Sequence, residues 1–245
     1  MNKLKICIDA GHCTYGGDTG AEGNGLKEQD ITWLVADKLR HLLEAAGQTV
    51  VMTREFKDQI LGITENESLN RRSQICNDTN CDRFISIHCN KWTDPNANGT
   101  EVLIYARGGE AEKLASAIQT EILGALGTSD RGVKVQNCSV LRKTKCPAVM
   151  VETAFLSNEA DSLLLRYHHD EFAEAIFKGI CEHSGITAAK VQRYSYDDTV
   201  NRMILDTVTG VENMQYWEQH LGDGSDYSKN VRTIIERYQK MLANK

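Results

Sequence analysis

Along its first three quarters the chain switches repeatedly between two hydrophobic periods. Short apolar runs of β character occupy residues 4–9, 48–53, 83–88, 100–105 and 148–152, and longer runs of helical period lie between them. In 28–46, the residues Ile31, Leu34, Val35, Leu39, Leu42 and Leu43 fall on one helical face, and Gly47 stands where that helix should stop. Thr64-Glu65-Asn66-Glu67 has the pattern of a capping box and predicts the start of a helix that carries Leu69, Arg72 and Ile75. A helix is expected over 109–126, with Leu114, Ala115, Ile118 and Ile122 inward. A turn at 127–132 and two short β-type pieces should follow it. A last helix over 170–183 turns Phe172, Ile176, Phe177 and Ile180 to the core. Strands alternating with helices predict an α/β domain with a mostly parallel sheet, spanning residues 1–184.

The pattern changes after Gly185. Residues 185–196 are expected to form a linker. Residues 197–245 are expected to form a small helical accessory domain, with amphipathic segments near 197–206, 210–221 and 227–243. Too small to bury much of its own surface, that segment has three candidate uses: to recognise a cell wall, to pair with another copy of the chain as a homo-oligomer, or to pack on the main domain.

Composition narrows the function classes. No apolar run approaches the roughly 20 residues that cross a bilayer, so a membrane partner is not expected. Lys and Arg number 28 against 34 Asp and Glu, a net charge of −6 without a basic block, which argues against nucleic acid. Lys3 and Lys5 precede Ile6-Cys7-Ile8-Asp9-Ala10 rather than the apolar stretch of a signal peptide, so synthesis in the cytoplasm is expected. The eight cysteines include no CxxC pair and read as reduced core residues. Cys76 and Cys81 have a spacing that a structural metal site could use, but no second pair lies near them in sequence.

In open α/β sheets ligands gather beyond the carboxyl ends of the strands. His12 follows the first predicted strand, His88 ends the third, Glu152 ends the strand after Pro147, and Glu28 opens the first helix. Two imidazoles and one carboxylate on separate elements make a catalytic zinc donor set with one position open. A further carboxylate could then move protons. Taken singly, each residue has a plainer reading: a structural histidine, a helix N-terminal acid, or half of an ion pair.

Several segments together resemble one family. Ile6-Cys7-Ile8-Asp9-Ala10-Gly11-His12, then Gly16-Gly17-Asp18-Thr19-Gly20-Ala21 and Leu26-Lys27-Glu28, look like the opening of the zinc-dependent N-acetylmuramoyl-L-alanine amidases of the third amidase family. Ser86-Ile87-His88-Cys89-Asn90 and the run from Leu141 through Pro147 and Glu152 to Asn158 are similar to later blocks of that family, in the same order. The resemblance implies a twisted six-stranded sheet flanked by helices, Zn2+ held by His12, Glu28 and His88, and Glu152 as acid/base. It also implies hydrolysis of the amide joining N-acetylmuramic acid to L-alanine in peptidoglycan. Asn90 and Trp92 are the candidate substrate contacts, the Trp because an exposed indole can stack on a sugar.

Two departures stand out. Cys13 follows the first histidine where many relatives have Gly, which puts a thiol beside the expected metal. Only the turn at 127–132 stands where some cell-division relatives insert a plugging helix, so the site is expected to be open. A phage or prophage endolysin is the expected setting. The rival readings are a non-catalytic wall-binding or regulatory protein and a zinc peptidase acting on the stem peptide.

Overall fold

The computed structural model describes residues 3–187. The accessory segment 197–245, and the linker from 188 onward, lie outside the described residues. The described chain runs β1 (Lys5–Ala10), β2 (Glu22–Gly23), β3 (Leu26–Lys27), α1 (Glu28–Ala45), β4 (Thr49–Met52), α2 (Glu65–Asp78) and β5 (Arg83–Asn90). It continues through β6 (Thr100–Ile104), α3 (Glu110–Leu126), β7 (Asp130–Val135), α4 (Ser139–Lys143), β8 (Ala148–Phe155), α5 (Glu159–Tyr167) and α6 (His169–Ser184).

Six strands form one sheet in the order β4-β1-β5-β8-β6-β7, and β2 and β3 pair as a separate small ribbon. Every neighbouring pair in the large sheet is parallel except β6 and β8. The central strands are covered on both faces, which explains why they read as nearly continuous apolar runs. Ile6, Ile8, Ile85, Ile87, Val149 and Val151 point into the larger core with α1, α3 and α6. The alternate positions Cys7, Phe84, Leu103 and Met150 point into a smaller one with α2 and α4.

Local chemistry sets the element ends. The capping box is present: the Thr64 hydroxyl accepts from the Glu67 N–H, and the Glu67 carboxylate accepts from the Thr64 N–H. Gly127 and Gly185 end α3 and α6 in the left-handed conformation.

The structure corrects several expectations. The second β-type piece after residue 132 is the helix α4, because Val140 and Leu141 bury one face of a short turn against the smaller core. Helix α5 falls where no element was expected. Its start is capped by the Asn158 side chain, which accepts from Asp161 N–H, and the Asp161 carboxylate in turn takes the N–H groups of Gly99 and Phe155. Strand β8 runs on to Phe155 and β5 to Asn90, past the expected ends. Cys7, distant in sequence, folds against Cys76 and Cys81, and Cys146 against Cys76.

Helices α3 and α6 approach closely at Gly179, where a Cβ would lie 2.6 Å from the Ile118 Cα and 2.7 Å from its backbone nitrogen. Backbone atoms cannot swing aside, so Gly179→Ala is expected to destabilise the domain by about 1–3 kcal/mol. Chemical denaturation of the variant beside the parent measures this, and an unchanged midpoint would contradict the close packing.

Candidate metal centre and active site

The site lies at the carboxyl end of the parallel strands. Strand β1 ends at Ala10, and the chain turns at Gly11 and His12, the latter with a left-handed φ of 64°. Gly11 has no room for a side chain: a Cβ there would sit 2.6 Å from both Cε1 and Nε2 of His88 and from the Ile87 carbonyl oxygen. The turn is held by buried groups behind it. The Thr32 hydroxyl donates to the Gly11 carbonyl at 2.7 Å, and the fully buried Arg54 donates to the carbonyls of Ala10, Gln29 and Lys57.

His12 is oriented by a chain of charges. Its Nδ1 lies 2.6 Å from Asp18 Oδ1, and the other Asp18 oxygen accepts from the Ser68 hydroxyl at 2.6 Å and the Arg72 guanidinium at 2.8 Å. Arg72 is 1% exposed and also faces Asp9 at 3.6 Å. With Nδ1 committed to Asp18, His12 presents Nε2 to Glu28, 3.2 Å from Oε2.

Glu28 is the first residue of α1, where the helix dipole favours a carboxylate. Its Oε2 accepts the Ala21 N–H and its Oε1 accepts the Cys89 N–H, and Oε1 also lies 3.0 Å from Nδ1 of His88. One donor atom from each of His12, Glu28 and His88 lies within 4.8 Å of the others.

The sheet register places the remaining acids. His88 on β5 is directly opposite Glu152 on β8, and Glu152 is directly opposite Glu101 on β6, so the three side chains share one face in a row. Glu101 is neutralised by Arg131 at 2.7 Å and Lys134 at 2.5 Å and also accepts from the Asn90 side-chain amide. Glu152 has no such partner. Its Oε2 is buried without a hydrogen bond.

Electrostatics separates the groups. Burial opposes the charge on His12, but the hydrogen bonds and charges of Asp18 and Glu28 outweigh it and raise its pKa to about 9. Burial likewise opposes the charge on Glu28, yet bonding to both histidines holds its carboxyl far below the usual range. Burial pushes the His88 pKa down against the pull of Glu28. For Glu152, burial and then the like charges of Glu28 and Glu101 push the pKa up to about 8, so its carboxyl carries a proton near neutrality.

The residues present fit a divalent metal of the zinc type. His12 Nε2 lies 3.2 Å from Glu28 Oε2 and His88 Nδ1 lies 3.0 Å from Oε1, each near the ~3.3 Å ligand–ligand spacing of a tetrahedral ion with bonds of about 2.05 Å, with one carboxylate oxygen facing each imidazole. A cation there would also give Glu28, Asp18 and the orphaned Glu152 oxygen a compensating charge.

Each residue expected from the sequence can now be placed. His12, Glu28 and His88 come together, and Glu152 is in register with His88. Asn90 is half-buried on Glu101, while Trp92 is exposed, with its backbone N–H on the Ser157 hydroxyl at 3.0 Å. A surface depression of about 620 Å3, lined by residues including Asn24, Asn96, Ser157 and Leu163, adjoins that contact. Cys13 is buried against Arg72 rather than among the metal donors. Cys89 points away from His88, with its sulfur 3.4 Å from the Thr153 hydroxyl.

Sequence reading missed the Asp9, Asp18, Arg72 and Arg54 network behind the site. A signal existed for one member: Arg72 shares an otherwise apolar helix face with Leu69 and Ile75, where a charge must find buried partners.

Fold and donor set together define an α/β domain with a metal-type centre at the carboxyl edge of its sheet. A family profile described as N-acetylmuramoyl-L-alanine amidase matches residues 6–182, and the chain belongs to that family. It is 34% identical to the N-acetylmuramoyl-L-alanine amidase LytC of Bacillus subtilis (strain 168) over 178 residues, a match that spans 71% of this chain but only 34% of LytC. It is 31% identical to the endolysin of Bacillus phage SPP1 over 189 residues, covering 74% of this chain and 65% of the endolysin. Among solved structures, the CwlD amidase from Clostridioides difficile, in complex with the GerS lipoprotein, superposes with a TM-score of 0.70 at 30% identity. That match covers 76% of this chain and 100% of CwlD.

Asp18 holds the His12 ring through Nδ1, while Nε2 faces Glu28. Asp18→Asn is expected to weaken zinc binding by about 10–100-fold. Competition against a chromophoric chelator measures the affinity, and parental affinity in a folded variant would show that the Asp18 contact does not prepare His12 for a metal.

Proposed function

We propose that the chain is a zinc-dependent peptidoglycan hydrolase that cleaves the amide between the lactyl group of N-acetylmuramic acid and the L-alanine that begins the stem peptide. The observation that carries this reading is the donor set His12, Glu28 and His88, lying beside Glu152 on the next strand, whose Oε2 is buried without a hydrogen-bond partner. Family membership and the amidase relatives support the choice of substrate bond.

His12, Glu28 and His88 would hold the zinc ion. When bound, zinc acts as a Lewis acid on the amide carbonyl and makes water acidic enough to attack at neutral pH. The chain's own residues do the rest. Asp18 keeps His12 in the tautomer that offers Nε2, and the Arg54 and Thr32 contacts hold the turn that carries the ring. Glu152 takes a proton from the attacking water at a carboxylate oxygen and delivers it to the departing alanine nitrogen. Its raised pKa suits the second task, and a cation beside Glu28 would offset part of the repulsion that raises it and so suit the first. In this proposal Asn90 and the exposed Trp92 are the contacts for the glycan or the stem.

The endolysin relative supports a setting in lysis. In this proposal the protein is made in the cytoplasm and meets the wall after the membrane is breached. Cell fractionation should find the intact protein inside unlysed producing cells. Intact protein in their medium, without a co-expressed pore, would contradict the setting while leaving the chemistry untouched.

Glu152→Gln keeps the side chain's shape but cannot shuttle a proton. The variant is expected to stay folded and bind zinc while hydrolysing purified peptidoglycan about 10²–10⁴-fold more slowly. Mass spectrometry of the parental digest should find stem peptides with a free L-alanine amine. Fragments cut within the stem would instead establish a peptidase, absence of products a binding protein, and a variant of near-parental rate would remove Glu152 from the reaction.

A further inference from the structure

Four of the eight cysteines converge on one point at the opposite edge of the sheet. Cys7 lies on β1, Cys76 near the end of α2, Cys81 in the turn before β5, and Cys146 in the loop before β8. The sulfurs of Cys7, Cys76 and Cys81 all lie within 4.8 Å of one another, and Cys146 Sγ is 3.6 Å from Cys76 Sγ. All four are free thiols, and the first three are buried.

We infer that Cys7, Cys76, Cys81 and Cys146 form a second, structural metal site that binds one zinc ion as a tetrathiolate. The argument is geometric and chemical. A tetrahedral zinc with bonds of about 2.3 Å spaces its sulfurs about 3.8 Å apart; the Cys76 and Cys146 sulfurs are 3.6 Å apart, and those of Cys7, Cys76 and Cys81 lie within 4.8 Å of one another, with Cys146 joining the group from the Cys76 side. Cys76-x4-Cys81 has the short spacing of a ligand pair, and the other two thiols come from a strand and a loop that only the fold brings near. Binding replaces four S–H bonds by four Zn–S bonds and releases four protons to solvent, with no oxidant or reductant involved.

A zinc tetrathiolate carries two negative charges, and the surroundings provide for them. The Lys5 ammonium donates to the Thr79 carbonyl at 2.9 Å, two residues from Cys81, and Arg83 opens the strand just after it. Arg83 Nε is buried without a hydrogen-bond partner. The Thr79 hydroxyl is 3.2 Å from Cys81 Sγ and can donate to it. Phe84, Val140, Leu141 and Ala148 pack around the sulfurs.

The site is separate from the catalytic centre. Phe84, in the thiol cluster's wall, and His88 are on the same face of β5 but four residues apart, about 13 Å along the strand. The cluster faces the amino ends of β1, β5 and β8, where an α/β sheet has no ligand crevice, so the ion would act as a staple joining α2 to the entries of three strands.

The test uses the full chain purified with reductant present throughout. Metal analysis should find one zinc per chain retained in His12→Ala/His88→Ala, falling to none when Cys76→Ser and Cys146→Ser are added. Cobalt substituted into the His12→Ala/His88→Ala protein should show the intense near-ultraviolet charge-transfer bands of thiolate ligation. This readout needs no cysteine variant to fold and is independent of amidase activity. Failure of these bands, or a Cys76–Cys146 disulfide found by mass spectrometry in that protein, would overturn the metal site. Either result would leave the amidase reading standing, since that rests on wall digestion.

Discussion

A buried arginine is the constraint on which the site depends. Arg72 sits at the interior end of an ion network, almost wholly out of water, and such a charge is tolerable only when anions meet it. Asp9 and Asp18 are those anions, and each has a second task. Asp9 ties β1 to its neighbours by accepting from the hydroxyls of Thr53 and Ser86, and Asp18 takes the Nδ1 side of His12. Helix α2 is therefore coupled through one guanidinium to both the central strand and the imidazole that faces Glu28. Loss of that charge would leave two carboxylates buried together.

The second organising element is strand register. Because β5, β8 and β6 align His88, Glu152 and Glu101 in one row, three ionisable side chains share a face, each one strand spacing of about 4.8 Å from the next. They do not behave alike. Glu101 is paid in full by Arg131 and Lys134, whereas Glu152 faces burial and two like charges and holds its proton near neutrality. Two carboxylates on neighbouring strands thus differ because one was given cations and the other was not. The same division leaves Glu152 free to exchange a proton while Glu101 positions Asn90.

The two ends of the sheet carry different chemistry for a topological reason. At the carboxyl ends, the turn after β1, the end of β5 and the start of α1 converge and bring mixed nitrogen and oxygen donors together, of which the His12 ring is partly exposed. At the amino ends, soft sulfur donors are enclosed by apolar side chains. Open sites with a free position suit catalysis, and closed sulfur-rich ones suit structure.

How much of this was legible in the sequence follows from the range of the interactions involved. Periodicity and capping are local, so α1, the capping box at Thr64 and the central strands were readable, and the meeting of His12, Glu28 and His88 was expected from their strand-end placement together with the family resemblance. Short elements were not: α4 has one buried turn whose apolar residues fit either period, and α5 is organised by Asp161 reaching back to Gly99 and Phe155. Contacts between residues far apart in sequence left no local trace. Arg72 meets Asp18 across 54 positions, and Cys76 meets Cys146 across 70. Residue type and spacing determined which groups the chain could bring to a site, since propensity and periodicity act over a few residues. Only the tertiary structure decided which charges neutralise one another and which thiols share a point, because burial and pairing are properties of space rather than of order along the chain.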